Sequence, residues 1–105
     1  MDSSKPKKKN KEELSAFYDA LVSLDSRPLA KDFLDDLLSD KEKEDIAERV
    51  YIAKLFLEGK TYNEIVHITH ASSATLARIS KCVKNGKGYR KVLSKTAQNT
   101  PSSED

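Results

Sequence analysis

The 105-residue chain has one cysteine, no tryptophan, three glycines and three prolines. A lone Cys82 excludes an intramolecular disulfide and any cysteine-rich metal site. The two histidines, His67 and His70, have no Asp, Cys or third His at ligand spacing, so no metal centre is expected. No apolar run approaches a membrane span, and no apolar core follows the basic N-terminus as in a secretory signal. A glycine-rich phosphate loop is missing as well, since Lys87 between Gly86 and Gly88 is too short a feature. Without a His–Ser or His–Cys pair, or paired carboxylates in an apolar setting, nothing in the chain points to an enzyme. There is also no aromatic face of the kind on which single-stranded RNA stacks. A reduced, cytoplasmic setting fits these absences.

Charge of one sign is not scarce, but it is segregated. The net charge of +2 hides four unlike segments. Residues 1–11 carry five lysines against Asp2. Residues 12–58 carry thirteen acidic side chains against six basic, or −7, and residues 59–95 carry eight basic against Glu64 alone, or +7. The last ten residues contribute −2. An acidic half is thus joined to a basic one, and a basic stretch of this density is an electrostatic footprint for nucleic acid.

The basic half also has the pattern of a helix-turn-helix, over about residues 61–84. Thr61 and Glu64 stand at capping-box spacing, which starts a helix at about Tyr62 with Ile65 and Ile68 on its apolar edge. The pattern breaks at Thr69-His70-Ala71-Ser72, where His70 takes the turn position that glycine usually fills with positive φ. Ser72 or Ser73 caps a second helix with Leu76, Ile79 and Val83 at three- and four-residue steps. Its other side offers Ser73, Ala74, Thr75, Ala77, Arg78, Lys81 and Lys84. Small residues permit close approach to a major groove, hydroxyls reach phosphates or base edges, and cations neutralise phosphate. Double-stranded DNA is the partner this face suits. Two short helices joined by a turn also occur in proteins that touch no DNA; the charge segregation decides between the readings.

The rest of the chain reads as helices. Residues 1–11 form a basic tail and 98–105 a second tail, both expected to be disordered, around a helical domain over 12–97. Leu14, Phe17, Leu21 and Leu24 give an amphipathic helix from about Lys11 to Leu24, and a second runs from about Pro28 to Leu38. A third runs from Ser39 or Asp40 to Glu58, apolar on most sides and therefore expected at the centre of a core, with Gly59 ending it. Cys82 reads as a small buried or half-buried apolar residue. After the turn Asn85–Gly88, a last short helix spans about Tyr89 to Ala97. The fold class is all-α, with about six helices and no strand. So much apolar surface on so few residues suggests a partner chain, most economically a second copy.

The runs Glu48-Arg49-Val50-Tyr51-Ile52-Ala53, Leu57-Glu58-Gly59-Lys60-Thr61-Tyr62-Asn63-Glu64-Ile65 and Ala74-Thr75-Leu76-Ala77-Arg78 resemble the Trp repressor superfamily, and more closely its YerC/YecD branch. The resemblance covers about Glu13 to Leu93. It implies an intertwined all-helical homodimer whose recognition helices enter successive major grooves, with half-sites about one turn, ~34 Å, apart. A cytoplasmic, nucleoid-associated transcriptional repressor of bacterial type follows from it. The DNA-facing positions it implies are Tyr62 and Asn63, then Ser73, Ala74, Thr75 and Ala77, with Lys84 near the helix end. The competing expectation is a helical protein–protein interaction module whose helix-turn-helix is vestigial.

Arg49 and Arg78 match the two arginines between which the Trp repressor holds its corepressor. The glycine that follows the second of them is here Ile79, whose branched side chain should fill much of the pocket. Cys82 replaces a serine that helps bind the ligand's amino group. No tryptophan corepressor, and no other cofactor, is therefore expected. Arg78 is then a phosphate contact or an ion-pair partner of the acidic half.

Overall fold

The computed structural model describes the backbone of residues 7–99 and the side chains of 10–94. Six helices follow one another: α1 (Lys7–Val22), α2 (Arg27–Leu37), α3 (Asp40–Leu57), α4 (Tyr62–Thr69), α5 (Ser73–Asn85) and α6 (Gly88–Asn99). No strand occurs among the described residues. The helical domain expected over 12–97 falls into two compact units, Met1–Asp40 and Lys41–Asp105.

In the first unit, α1 begins at Lys7, inside the stretch expected to be a disordered tail. Residues 7–10 contain no helix breaker, and lysine is a good helix former, so the helix extends back toward Pro6. The rest of that tail, residues 1–6, lies outside the described residues. At its other end α1 stops two residues before Leu24. The Ser23 N–H reaches both Asp19 and Ala20 carbonyls at 3.1 Å, its hydroxyl donates to Asp19 O at 2.9 Å, and Leu24 N–H closes on Leu21 O at 3.1 Å. These bonds engage the Asp19, Ala20 and Leu21 carbonyls in a tightened last turn.

Ser26 then caps α2 by accepting from Leu29 N–H at 3.2 Å, with Pro28 in the first turn, where its missing N–H is not needed. The apolar stripe of this unit is not interred. Leu14, Phe17, Tyr18, Leu21, Val22, Leu29 and Leu37 are each between 39% and 85% exposed, and α2 holds no buried residue.

The second unit has a core. Ile52, Ala53 and Leu55 of α3, Ile65 of α4, and Leu76, Ile79 and Val83 of α5 are buried together, with Phe56, Leu57, Ala71, Tyr89 and Leu93 packed against them. Only the C-terminal half of α3 is central to it. Ile46, Val50 and Tyr51 are exposed, contrary to the expectation of a helix buried all round.

Gly59 ends α3 at φ +91° in a Schellman arrangement. Lys60 N–H donates to Leu55 O at 3.1 Å and Gly59 N–H to Phe56 O at 3.0 Å. This fixed reversal sends the chain into α4 with its first turn against the end of α3. The last helix, α6, runs two residues beyond the expected Ala97, to Asn99; residues 100–105 lie outside the described chain.

Candidate nucleic-acid interface

Local chemistry sets the α4–turn–α5 geometry. Thr61 N–H donates to Glu64 Oε1 at 2.8 Å, and Glu64 N–H donates to Thr61 Oγ1 at 3.1 Å, a complete capping box. The bond from the Thr61 backbone holds the Glu64 carboxyl below its ordinary value, with smaller help from the Thr61 side chain and Lys60. The Tyr62 ring meets Phe56 of α3 edge-on, centroids 5.4 Å apart, which anchors the first turn of α4.

His70 ends α4 in the left-handed region, φ 59° and ψ 21°, with its N–H on Val66 O at 2.7 Å. It thus adopts the conformation for which glycine is the usual choice. Thr69 secures the turn from both sides. Its hydroxyl donates to Ile65 O at 2.8 Å and accepts from Ala71 N–H at 3.2 Å. Of the two candidate caps, Ser72 is the one used, accepting from Thr75 N–H at 3.1 Å.

Leu76, Ile79, Ser80 and Val83 form the buried side of α5. At 100° per residue, Ser73, Ala74, Ala77, Arg78, Lys81 and Lys84 occupy a continuous arc of roughly 140° away from it. All six are exposed, as are Tyr62 and Asn63 on α4. Thr75 is the exception among the residues singled out from sequence. It stands at the margin of the arc, half-buried, with its Oγ1 accepting from the Ser72 hydroxyl at 3.0 Å.

Three lysines outside this arc are held by acids of their own helices, and the cations of the arc are not. Lys31, Lys41 and Lys54 are each bonded to an acid four residues on, Asp35, Asp45 and Glu58, at 2.7, 3.0 and 3.5 Å. Arg78, Lys81 and Lys84 make no ion pair among the described residues, so Arg78 is not found pairing with the acidic half. Cations without an internal partner are free to meet phosphate.

Around the arginine pair, Arg49 and Arg78 are both exposed, and Ile79 is 3% exposed within the core. The Ile79 side chain is held in place by that burial. Cys82 is exposed, not buried or half-buried as its neighbour Val83 suggests, because it projects well away from the Leu76–Val83 stripe. It lines an apolar cavity of about 480 Å³ with Val50, Tyr89, Val92 and Leu93.

Sequence reasoning missed three features of the region. Ser80 is 5% exposed inside the core side of α5. Its spacing from Leu76 and Val83 carries that signal, but a serine reads as surface. The Arg90 guanidinium donates to Val83 O at 3.1 Å, occupying a carbonyl of the last α5 turn. The Phe56–Tyr62 contact joins residues too distant for periodicity to relate.

The sequence profile of the Trp repressor protein family matches residues 12–97. The uncharacterized protein YerC of Bacillus subtilis (strain 168) is 34% identical over 74 residues, spanning 70% of this chain and 71% of that protein. A Staphylococcus aureus crystal structure, provisionally assigned as a Trp repressor, superposes with a TM-score of 0.75 at 29% identity. That match covers 82% of this chain and 87% of the other.

Proposed function

The chain belongs to the Trp repressor protein family, whose members are helix-turn-helix regulators, and on that premise we propose that it binds double-stranded DNA sequence-specifically as a homodimeric repressor. The observation that carries this is the α5 arc: small residues at its N-terminal end, then Arg78, Lys81 and Lys84 exposed and without internal ion pairs. Tyr62, Asn63, Ser73, Ala74 and Ala77 lie against the major groove, with Thr75 at its edge. Arg78, Lys81 and Lys84 meet phosphate.

The dimer is supported by the first unit. Two amphipathic helices whose apolar stripes stay exposed need a covering surface, and a second copy supplies an identical one. Tryptophan is not the effector, since Ile79 is fixed in the core beside Arg78 and cannot vacate the ligand's place without losing its burial. The protein acts in the cytoplasm, on the nucleoid; among the described residues no helix is long and apolar enough to cross a membrane.

Selection of random duplex DNA by the full chain, followed by a salt series on the enriched sequence, tests the reading. A palindrome with half-sites one helical turn apart and a steep salt slope is expected. No enrichment, with only weak salt-sensitive binding to any duplex, overturns it in favour of an interaction module that uses the α1–α2 stripe for a different protein.

A further inference from the structure

A second cavity in the Lys41–Asp105 unit lies apart from the arginine pair. It measures about 200 Å³ and is lined by Phe56 and Leu57 at the end of α3, Ser80, Val83 and Lys84 on α5, and Arg90 on α6. Its polar groups are arranged by chemistry. Ser80 is 95% buried, and no hydrogen bond to another described residue engages its hydroxyl. A buried polar group without a partner is uncommon and unfavourable, so its presence on a cavity wall points to a ligand atom that satisfies it.

Lys84 stands one turn along α5 from Ser80, the spacing that puts two side chains side by side. It has no ion pair among the described residues. Arg90 spends one N–H on Val83 O and has further donors to give. One hydroxyl and two cations on an aliphatic and aromatic wall suit an anion with a short apolar tail.

Size narrows the class. A single water needs only about 15 Å³ of such a cavity, so the space has room for a ligand of several heavy atoms as well as for water. Drug-sized ligands occupy roughly 300–1,000 Å³, so those are too large.

We propose that this cavity binds a small aliphatic monocarboxylate, its carboxylate on Ser80 and Arg90 and its tail on Phe56, Leu57 and Val83, with Lys84 at the rim, shared between the carboxylate and the DNA phosphate it meets in the reading above. The ligand also has a route to the recognition surface, because Phe56 packs on Tyr62 and the cavity wall is α5 itself. Occupancy therefore fixes the seating of α5 and changes affinity for DNA, a consequence that rests on the DNA-binding reading above.

The test uses 3-methylbutanoate as probe, titrated into the ¹⁵N-labelled full chain without DNA, with 3-methylbutan-1-ol as the neutral control. Saturable shifts centred on Phe56, Ser80, Val83, Lys84 and Arg90, at least tenfold weaker for the alcohol, are expected. Ser80→Ala removes a hydroxyl that no described residue engages, so the variant folds, and its affinity for the carboxylate falls about tenfold, as loss of a charge-assisted hydrogen bond requires. No saturable shift, equal binding of the alcohol, or shifts centred on Arg49, Arg78 and Cys82 overturns the site. With the site established, saturating carboxylate should change affinity for the selected duplex at least fivefold. An unchanged affinity rejects the coupling and leaves the site. Failure to select any duplex rejects the DNA reading alone, because the titration contains no DNA.

Discussion

The Ser72 hydroxyl donates to Thr75 Oγ1 at 3.0 Å while Thr75 N–H returns to Ser72 Oγ at 3.1 Å, so the cap of α5 and the residue at the margin of its outer face share one small network. On the proposed DNA-binding reading Ser72 serves stability and Thr75 recognition, and substitutions separate the two roles. Ser72→Ala should lower the unfolding free energy by about 1 kcal/mol, the usual worth of an N-cap. Thr75→Val, close in shape but lacking the hydroxyl, should leave the urea midpoint near wild type and alter the base preference recovered by duplex selection. Identical effects of the two changes in both assays would contradict this division.

Lys84 near the end of α5 and Lys81 one turn inside it should behave as phosphate contacts. Either residue replaced by alanine should weaken binding to all duplexes alike and flatten the plot of log affinity against log salt by about 1 unit of slope. Lys41→Ala, which removes a lysine already bonded to Asp45 at 3.0 Å, should leave that slope unchanged. Fluorescence anisotropy at several salt concentrations measures all three.

Glu64 gives a pH dependence with a defined sign. Its folded carboxyl titrates below the ordinary 4.5 because the Thr61 N–H prefers the ionised form. The resulting stabilisation is complete above that unfolded value and is lost as pH falls through the lower folded one. Glu64→Gln keeps a box-forming side chain without the titration. In urea melts the advantage of wild type over Glu64→Gln should therefore be constant from pH 7 to pH 5 and shrink below pH 4.5. An advantage that grew on acidification would refute the assignment.

Two left-handed residues, His70 at φ 59° and Gly59 at φ 91°, make opposite predictions. His70→Gly should raise the melting temperature by a few degrees, because the β-carbon strain of the left-handed region exceeds the chain entropy that glycine adds. Gly59→Ala should cost about 1 kcal/mol. Nothing lies within 4 Å of the methyl group it would introduce, so that cost is conformational and not steric. Differential scanning calorimetry of the two variants gives both signs.

These contrasts also show how far sequence reaches. The Thr61–Glu64 box, the left-handed His70 and the cap before α5 were readable, because each is settled by residues within four positions of one another. The helix-turn-helix and the charge of its outer face were readable for the same reason. What escaped was set by neighbours remote in the chain or by competition between near-equal local choices. Cys82 lies next to Val83 in sequence yet on another side of α5. Ser80 is buried on the core side of α5 despite its polarity, and α1 continues through lysines that look like a tail. Phe56 reads as one more core residue until its contact with Tyr62 is seen.

The brevity of the connections in the Lys41–Asp105 unit bears on how it folds. Four residues separate α3 from α4, three separate α4 from α5, and two separate α5 from α6. A core assembled across such links pairs residues that are already neighbours along the chain, so little loop-closure entropy has to be lost before packing begins. Topologies of this sort fold on the microsecond-to-millisecond scale. The segment carrying α4 and α5 should therefore form early, as soon as the chain from α3 to α6 is complete.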